Sequence, residues 1–233
     1  MTVLVSRYPA YSLFDRELCI QKFTWDSSGF PSFGHPIPSG VLQSLPSGEE
    51  GRTVFFDSFE DGNANGWTTD GDSWAVIKPV GHSYEYAMLS NGYNLSAAGG
   101  NWTDYLVQAA ILLTSDTQGA GAGILGRVVD NNHFYQLEIY NYNGTKTWHL
   151  NKNDGGVWSE LASGPFNYST NYYYYLKMVL AGSSITAYIL SDGGATYQYL
   201  GAASDSSFTS GKIGTRGTLQ PYRIDNVQVQ LKE

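Results

Sequence analysis

The chain is short of cysteine, of charge and of helical periodicity, and each shortage excludes something. Cys19 is the sole cysteine in 233 residues, so no intrachain disulfide is possible. Between Leu18 and Ile20 it reads as a small buried hydrophobe. Charged residues make up 15% of the chain, and the acidic excess leaves a net charge of -8. Phosphate backbones and anionic headgroups need a cationic surface, so the balance argues against nucleic acid, anionic membranes and acidic polysaccharides as partners. No apolar run is long enough to cross a bilayer. Met1 runs straight into Thr-Val-Leu-Val-Ser-Arg, with neither a cationic start nor a long apolar stretch, so no secretion signal is expected in this chain. His35, His82, His133 and His149 are scattered, without zinc spacing. No phosphate-cradling loop, nucleophile elbow or Ser/His/Asp order appears. Glu85, Asp104, Asp130, Glu138 and Glu160 occur singly, without a motif that pairs them as glycoside hydrolysis requires.

Aromatics and glycine are abundant: 18 Tyr, 10 Phe, 6 Trp and 27 Gly. That mixture suits short strands joined by tight turns. Leu18–Trp25 alternates well enough for a strand. Pro31, Pro36, Pro38 and Pro46 then forbid regular structure, which makes 26–52 an irregular connector or linker. From Thr53 onward, strand signals recur near 53–60, 74–77, 86–90, 104–114, 121–129, 133–142, 146–151, 157–161, 172–180, 184–190, 196–200, 211–217 and 222–231. Turn dipeptides such as Asn91-Gly92, Asn143-Gly144 and Ala181-Gly182 separate them. The expected fold is all-β: a two-sheet antiparallel sandwich over 53–233, preceded by an irregular N-terminal extension, 1–52.

Two stretches carry resemblances. Residues 16–49, with Ile20-Gln-Lys-Phe-Thr-Trp-Asp26 and Pro31-Ser-Phe-Gly-His-Pro36, resemble the closing segment of the catalytic domain in glycoside hydrolase family 43, among its arabinofuranosidase-like members. Residues 53–233 carry "FFDSFEDGNANGW", "GAGILGRVVDNNHFYQLEIY", "YYYYLKMVLAGSSITAYI" and "YRIDNVQVQL" in order. They resemble a concanavalin-A-like or laminin-G-like jelly roll, nearest to carbohydrate-binding module family 66. The resemblance implies the tail of a propeller-shaped catalytic domain followed by a non-catalytic binding module. The linked upstream catalytic domain would belong to a secreted enzyme acting on arabinan or xylan, and the module's ligand would be an oligo- or polysaccharide. A stand-alone sandwich hydrolase or lyase and a purely structural brace are the alternatives.

Period two along His133–Tyr142 puts Tyr135, Leu137 and Ile139 on a core face and Phe134, Gln136, Glu138, Tyr140 and Tyr142 on the other. Carboxylate, amide and phenol together suit a sugar, whose C–H faces pack on rings and whose hydroxyls need directional partners. Arg127 on the preceding strand, Trp148 and Trp158 on later ones, and Tyr222 with Arg223 near the end are the further candidates for sugar contact. In the run Tyr172–Tyr175, alternation sends one pair to the core with Leu176, Met178 and Leu180. Trp67 and Trp74 read as core or rim packing. Asp57 and Glu60 open the sandwich and Asp225 lies in its last strand. Since first and last strands of jelly rolls are neighbours, and related modules hold a structural calcium ion with such a pairing, the three are candidate Ca2+ ligands.

Overall fold

The computed structural model describes residues 2–7, 17–22, 24–32, 53–71, 73–191, 194 and 196–232. The chain divides into two compact units, Met1–Glu49 and Glu50–Glu233. In the first, β1 (Thr2–Arg7) pairs antiparallel with β2 (Glu17–Lys22), and β3 (Thr24–Trp25) with β4 (Pro31–Ser32). The turn between β3 and β4 is closed by Asp26, whose Oδ1 accepts the N–H groups of Ser28 and Phe30. The strand expected over Leu18–Trp25 is thus present as β2 and β3. The Cys19 side chain and most of the expected connector lie outside the described residues.

The second unit is a sandwich of two antiparallel sheets. Its strands are β5 (Thr53–Asp57), β6 (Thr68–Thr69), β7 (Trp74–Ile77), β8 (Glu85–Met88), β9 (Leu95–Trp102), β10 (Tyr105–Leu113), β11 (Gly121–Asp130), β12 (His133–Tyr142), β13 (Thr145–Asp154), β14 (Val157–Pro165), β15 (Tyr173–Ala181), β16 (Ser184–Ser191), β17 (Gln198–Ser204), β18 (Gly211–Thr218) and β19 (Tyr222–Leu231). One sheet runs β17-β16-β15-β10-β19-β8-β7, with β5 also on β19. The other runs β14-β13-β12-β11-β18-β9-β6.

Alternation fills the space between the sheets. Val107, Ile111, Leu176, Met178, Ile185 and Ile189 from one sheet meet Ile124, Leu137, Ile139, Leu150 and Ile213 from the other, all fully buried. Each such side chain contributes on the order of 1.5–3 kcal/mol. Of the tyrosine run only Tyr174 joins Leu176 in the core, not the expected pair: Tyr173 and Tyr175 take the outer face, and Tyr172 precedes the strand and is exposed. Trp67 and Trp74 pack at the core's margin. Asn143 and Gly144 connect β12 to β13 with φ of 51° and 82°, the two left-handed residues of a tight hairpin turn.

Arg127 corrects an expectation. It is 1% exposed and sits at a bulge with φ of 47°. Its guanidinium donates to the carbonyls of Thr103, Gly182 and Phe208 at 2.8–3.2 Å, so it clamps loops at one end of the sandwich and is closed to ligand. A buried carbonyl left without a donor costs about 1–3 kcal/mol. Arg127→Met is therefore expected to lower stability by roughly 2 kcal/mol or more, read as a reduced urea midpoint. An unchanged midpoint would show that the clamp carries no weight.

Candidate functional site

The outer face of the seven-stranded sheet holds the site. Registers place Arg216 of β18 opposite Gly123 of β11, Gly123 opposite Glu138 of β12, and Glu138 opposite His149 of β13. One step along, Thr218, Gly121, Tyr140 and Thr147 form a second row. Neither glycine can be replaced freely, because a Cβ at Gly121 would meet the Tyr140 ring and one at Gly123 the Leu137 carbonyl. At these two rows the central strand puts no side chain on this face, and the floor is bare backbone between taller neighbours; beyond Gly123 the same face is filled by the buried Leu125. The resulting groove measures about 390 Å³ and is lined by Tyr93, Glu138, Tyr140, Tyr142, His149, Asn151, Trp158, Glu160, Arg216 and Thr218.

Arg216 and Glu138 face each other across that floor. They attract but make no direct ion pair with one another, which leaves a space between donor and acceptor. The Arg216 guanidinium lies over two rings, 4.8 Å from the Trp158 centroid and 5.4 Å from that of Tyr93. Cation–π contact holds the cation in place without using up its N–H groups. One of these donates to Thr218 Oγ1 at 3.3 Å. Glu138 is 7% exposed. Its Oε1 accepts from Asn151 Nδ2 at 3.0 Å and its Oε2 from Gln136 Nε2 at 3.1 Å. Burial pushes its carboxyl up to about 7, against the opposing pull of Arg216 and the Asn151 bond.

The second acid behaves oppositely. Glu160 is held below the usual range, first by the Ser163 hydroxyl and then by His149. His149 Nδ1 lies 2.8 Å from Glu160 Oε2 and its Nε2 2.8 Å from Thr147 Oγ1. The His149 ring meets Tyr140 edge-on. Tyr93 and Tyr142 are each 59% exposed and Trp158 43%, so three ring faces remain open to solvent at the rim.

The structure thus brings together Glu138, Tyr140, Tyr142 and Trp158 from the expected set. Gln136 lies behind them, fully buried, bonded to Glu138 and with its Oε1 unpartnered among the described residues. Three more expected contacts fail for physical reasons, as Arg127 does. Trp148 alternates with Leu150 into the core. Tyr222 is also core, with its hydroxyl 2.6 Å from Thr215 Oγ1. Arg223 belongs to the other sheet and pairs with Glu85 at 3.4 Å. Unforeseen members are Tyr93, His149, Asn151, Glu160, Arg216 and Thr218. Three of these were open to view: His149 and Asn151 alternate with Trp148 and Leu150, and Glu160 follows on the next strand.

The sandwich is shared with a carbohydrate-binding module. CBM66 from Bacillus subtilis superposes with a TM-score of 0.59 at 19% identity, covering 72% of this chain and 97% of that one. A GH43 protein from Bacillus licheniformis gives 0.63 at 15% identity over 93% of this chain and 47% of its own. The xylan beta-1,4-xylosidase from Bacillus halodurans C-125 gives 0.60 at 16%, over 98% of this chain and 50% of its own. The chain spans about half the length of these two larger proteins. At such identities what is shared is the fold. No protein-family model and no curated protein matches the sequence.

The three candidate calcium ligands do come near one another. β5 pairs with β19, Asp57 opposite Val227, and the charges of Glu85, Glu60 and Asp57 all bear on Asp225. Five of their six oxygens already accept a hydrogen bond from the protein. Asp57 accepts from Phe59 N and Trp67 Nε1, Glu60 from Tyr84 N, and Asp225 from Asn226 N and Nδ2. Among the described residues, no group of three or more His, Cys, Asp or Glu side chains is placed to hold a metal ion. Burial, and then the neighbouring carboxylates, push Asp225 up to about 7. A carboxyl raised in the folded state weakens the fold as pH climbs from its ordinary 3.8 toward about 7. Asp225→Asn is accordingly expected to raise the melting temperature at pH 8 and to leave it nearly unchanged at pH 4. If added calcium stabilises the native chain and the variant loses that gain, the corner is a cation site.

Proposed function

We propose that the groove binds a saccharide and that the chain works as a non-catalytic carbohydrate-binding module. The observation that carries this is the facing of Glu138 and Arg216 across a floor stripped to glycine, with Trp158, Tyr142 and Tyr93 open at the rim. A sugar ring offers adjacent hydroxyls that accept from a guanidinium and donate to a carboxylate, and C–H faces that pack on aromatic rings. An anionic cleft lined only with acids, or an apolar slot, would lack one half of that match.

The finer reading names the setting. Residues 16–49 resemble the end of a family 43 catalytic domain, and superpositions on two proteins of twice this length cover 93% and 98% of the chain. We take the chain as the part that holds an upstream arabinan- or xylan-degrading domain to its polymer outside the cell. Tethering raises local concentration without new chemistry. Affinity per site should be modest, because sugar hydroxyls exchange water bonds for protein bonds at small net gain.

Glu138→Gln and Arg216→Ala are each expected to weaken retardation on arabinoxylan or arabinan affinity gels at least about tenfold, since a hydrogen bond to a charged group contributes about 1.5–3 kcal/mol. Both variants should stay folded, and Glu138→Gln should melt close to the native chain at pH 4 but higher than it above about pH 7, where the buried carboxylate is ionised. Because the ionised carboxylate is the better acceptor, native affinity should rise as pH passes through about 7, and Glu138→Gln should flatten that rise. Wild-type mobility indifferent to every neutral glycan tested would remove the proposal.

One observation favours a second reading. Glu138 is raised and Glu160 lowered within one groove, the division of roles that an acid and a nucleophile or base require. Release of reducing ends from arabinoxylan by the purified chain, abolished in Glu160→Gln, would replace the binding role with hydrolysis. The expected result is no release above the variant's background.

A further inference from the structure

The opposite face of the sandwich repeats the construction of the groove. In the eight-stranded sheet β10 lies between β15 and β19, and Ala110 stands opposite Tyr175 on one side and Asp225 on the other. A small residue in the middle strand, flanked by a ring and a carboxyl, leaves a slot, as Gly123 does between Arg216 and Glu138. Ala110 belongs to the outer face because Ala109 and Ile111 point into the core. The cavity over it measures about 320 Å³ and is walled by Tyr173, Tyr175 and His82, with Asp225 and Asn226 along the base.

The walls are fixed. Tyr173 donates its hydroxyl to the buried Glu85, which also takes Arg223 at 3.4 Å and His82 Nδ1 at 3.3 Å. That ion cluster holds the His82 ring near the Tyr173 ring, 6.4 Å apart, with the histidine side chain 41% exposed. Asp225 is 6% exposed, and each of its oxygens accepts one bond from Asn226, which leaves further lone pairs for a donor from the cavity. Asn226 takes φ of 51°, the bend that turns this part of β19 under the slot.

The geometry points to a second saccharide-binding site, over Ala110 between Tyr175 and Asp225, for a neutral sugar residue. Neutrality follows from the surrounding charge. Asp225, Glu85, Glu60 and Asp57 outnumber Arg223 and His82, and both of these are already held by Glu85, so a uronate or sulfated sugar is repelled. Rings in the wall and hydroxyl acceptors at the base are what a neutral sugar uses. This site goes beyond the groove and does not depend on it. Occupied together, the two would let one module bridge two polysaccharide chains from opposite faces.

The test is amide NMR of the full chain titrated with xylohexaose and arabinohexaose, with glucosamine as the cationic control. The expected result is two sets of moving amides, one at Ala110, Tyr175 and Asn226 and one at Gly121, Gly123 and Glu138, fitted by separate dissociation constants. Ala110→Leu fills the slot and Tyr175→Ala removes its wall. Either should abolish the first set and leave the second. Shifts confined to the groove overturn the second site alone, shifts confined to Ala110 and its neighbours overturn only the groove's role, and a still spectrum overturns both. Movement at Ala110 with glucosamine but with neither neutral sugar would also overturn the proposal.

Discussion

A β-strand assigns its side chains to two faces in turn, and here the core has first claim on one of them. Tyr135, Leu137 and Ile139 are fixed inward by burial. That alone commits Gln136, Glu138 and Tyr140 to the outer surface. The same rule on β13 sends Trp148 and Leu150 inward and leaves Thr147, His149 and Asn151 beside Glu138. The groove thus needs no special backbone. It is what core packing leaves over, sharpened where Gly121 and Gly123 withdraw two side chains from the middle.

The electrostatics follow from that withdrawal. Glu138 and Arg216 sit one strand on either side of β11, about 10 Å apart at the backbone by ordinary strand spacing. Close enough to feel each other and too far to pair, they keep their valences for a third party. Keeping Glu138 nearly dry is costly. The move from 4.5 to about 7 corresponds to roughly 3 kcal/mol against the carboxylate. Two amide donors, Asn151 and Gln136, meet part of its need. Hydroxyl donors from a ligand would meet more, so ligand binding and ionisation of Glu138 favour each other.

Much of this was legible from residue order. All thirteen expected strands of the sandwich overlap observed strands, most within two residues at each end; 53–60 overruns β5, while 146–151, 157–161 and 196–200 stop short of the ends of β13, β14 and β17. The outer set of β12 was visible from period two alone. β9 was missed because Leu95-Ser-Ala-Ala-Gly-Gly-Asn-Trp102 lacks the branched and aromatic residues that announce a strand, and it forms by pairing with β18. Trp148 and Tyr222 were misassigned because type was weighed above parity, since a tryptophan or tyrosine in a sugar-binding fold invites a sugar role; Arg127 shares the parity of Gly121 and Gly123 and is turned off their face by the bulge, which period two does not show. Parity with Leu150 places Trp148 inside, and parity with Ile224 does the same for Tyr222. Arg216 and Tyr93 carry no local mark. Arg216 reaches the groove only because β18 lies next to β11, and Tyr93 only because β9 lies next to β18, pairings across roughly a hundred residues that no window of sequence displays.

The bonding of the two groove acids bears on what they can do. Every oxygen of Glu138 and of Glu160 already accepts one hydrogen bond from a fixed partner: Asn151, Gln136, Ser163 or His149. A nucleophile must present an open, aligned lone pair, and a general acid must point its proton at a leaving oxygen. Carboxylates held on both oxygens are poorly placed for either motion. They are well placed to accept a further hydroxyl from a bound sugar, since each oxygen retains a second lone pair and its direction is set in advance. The same holds for Asp225 on the far face, where Asn226 occupies both oxygens from below. Two slots built alike, each with a braced acceptor and a ring wall, fit the holding of a polymer better than its cleavage.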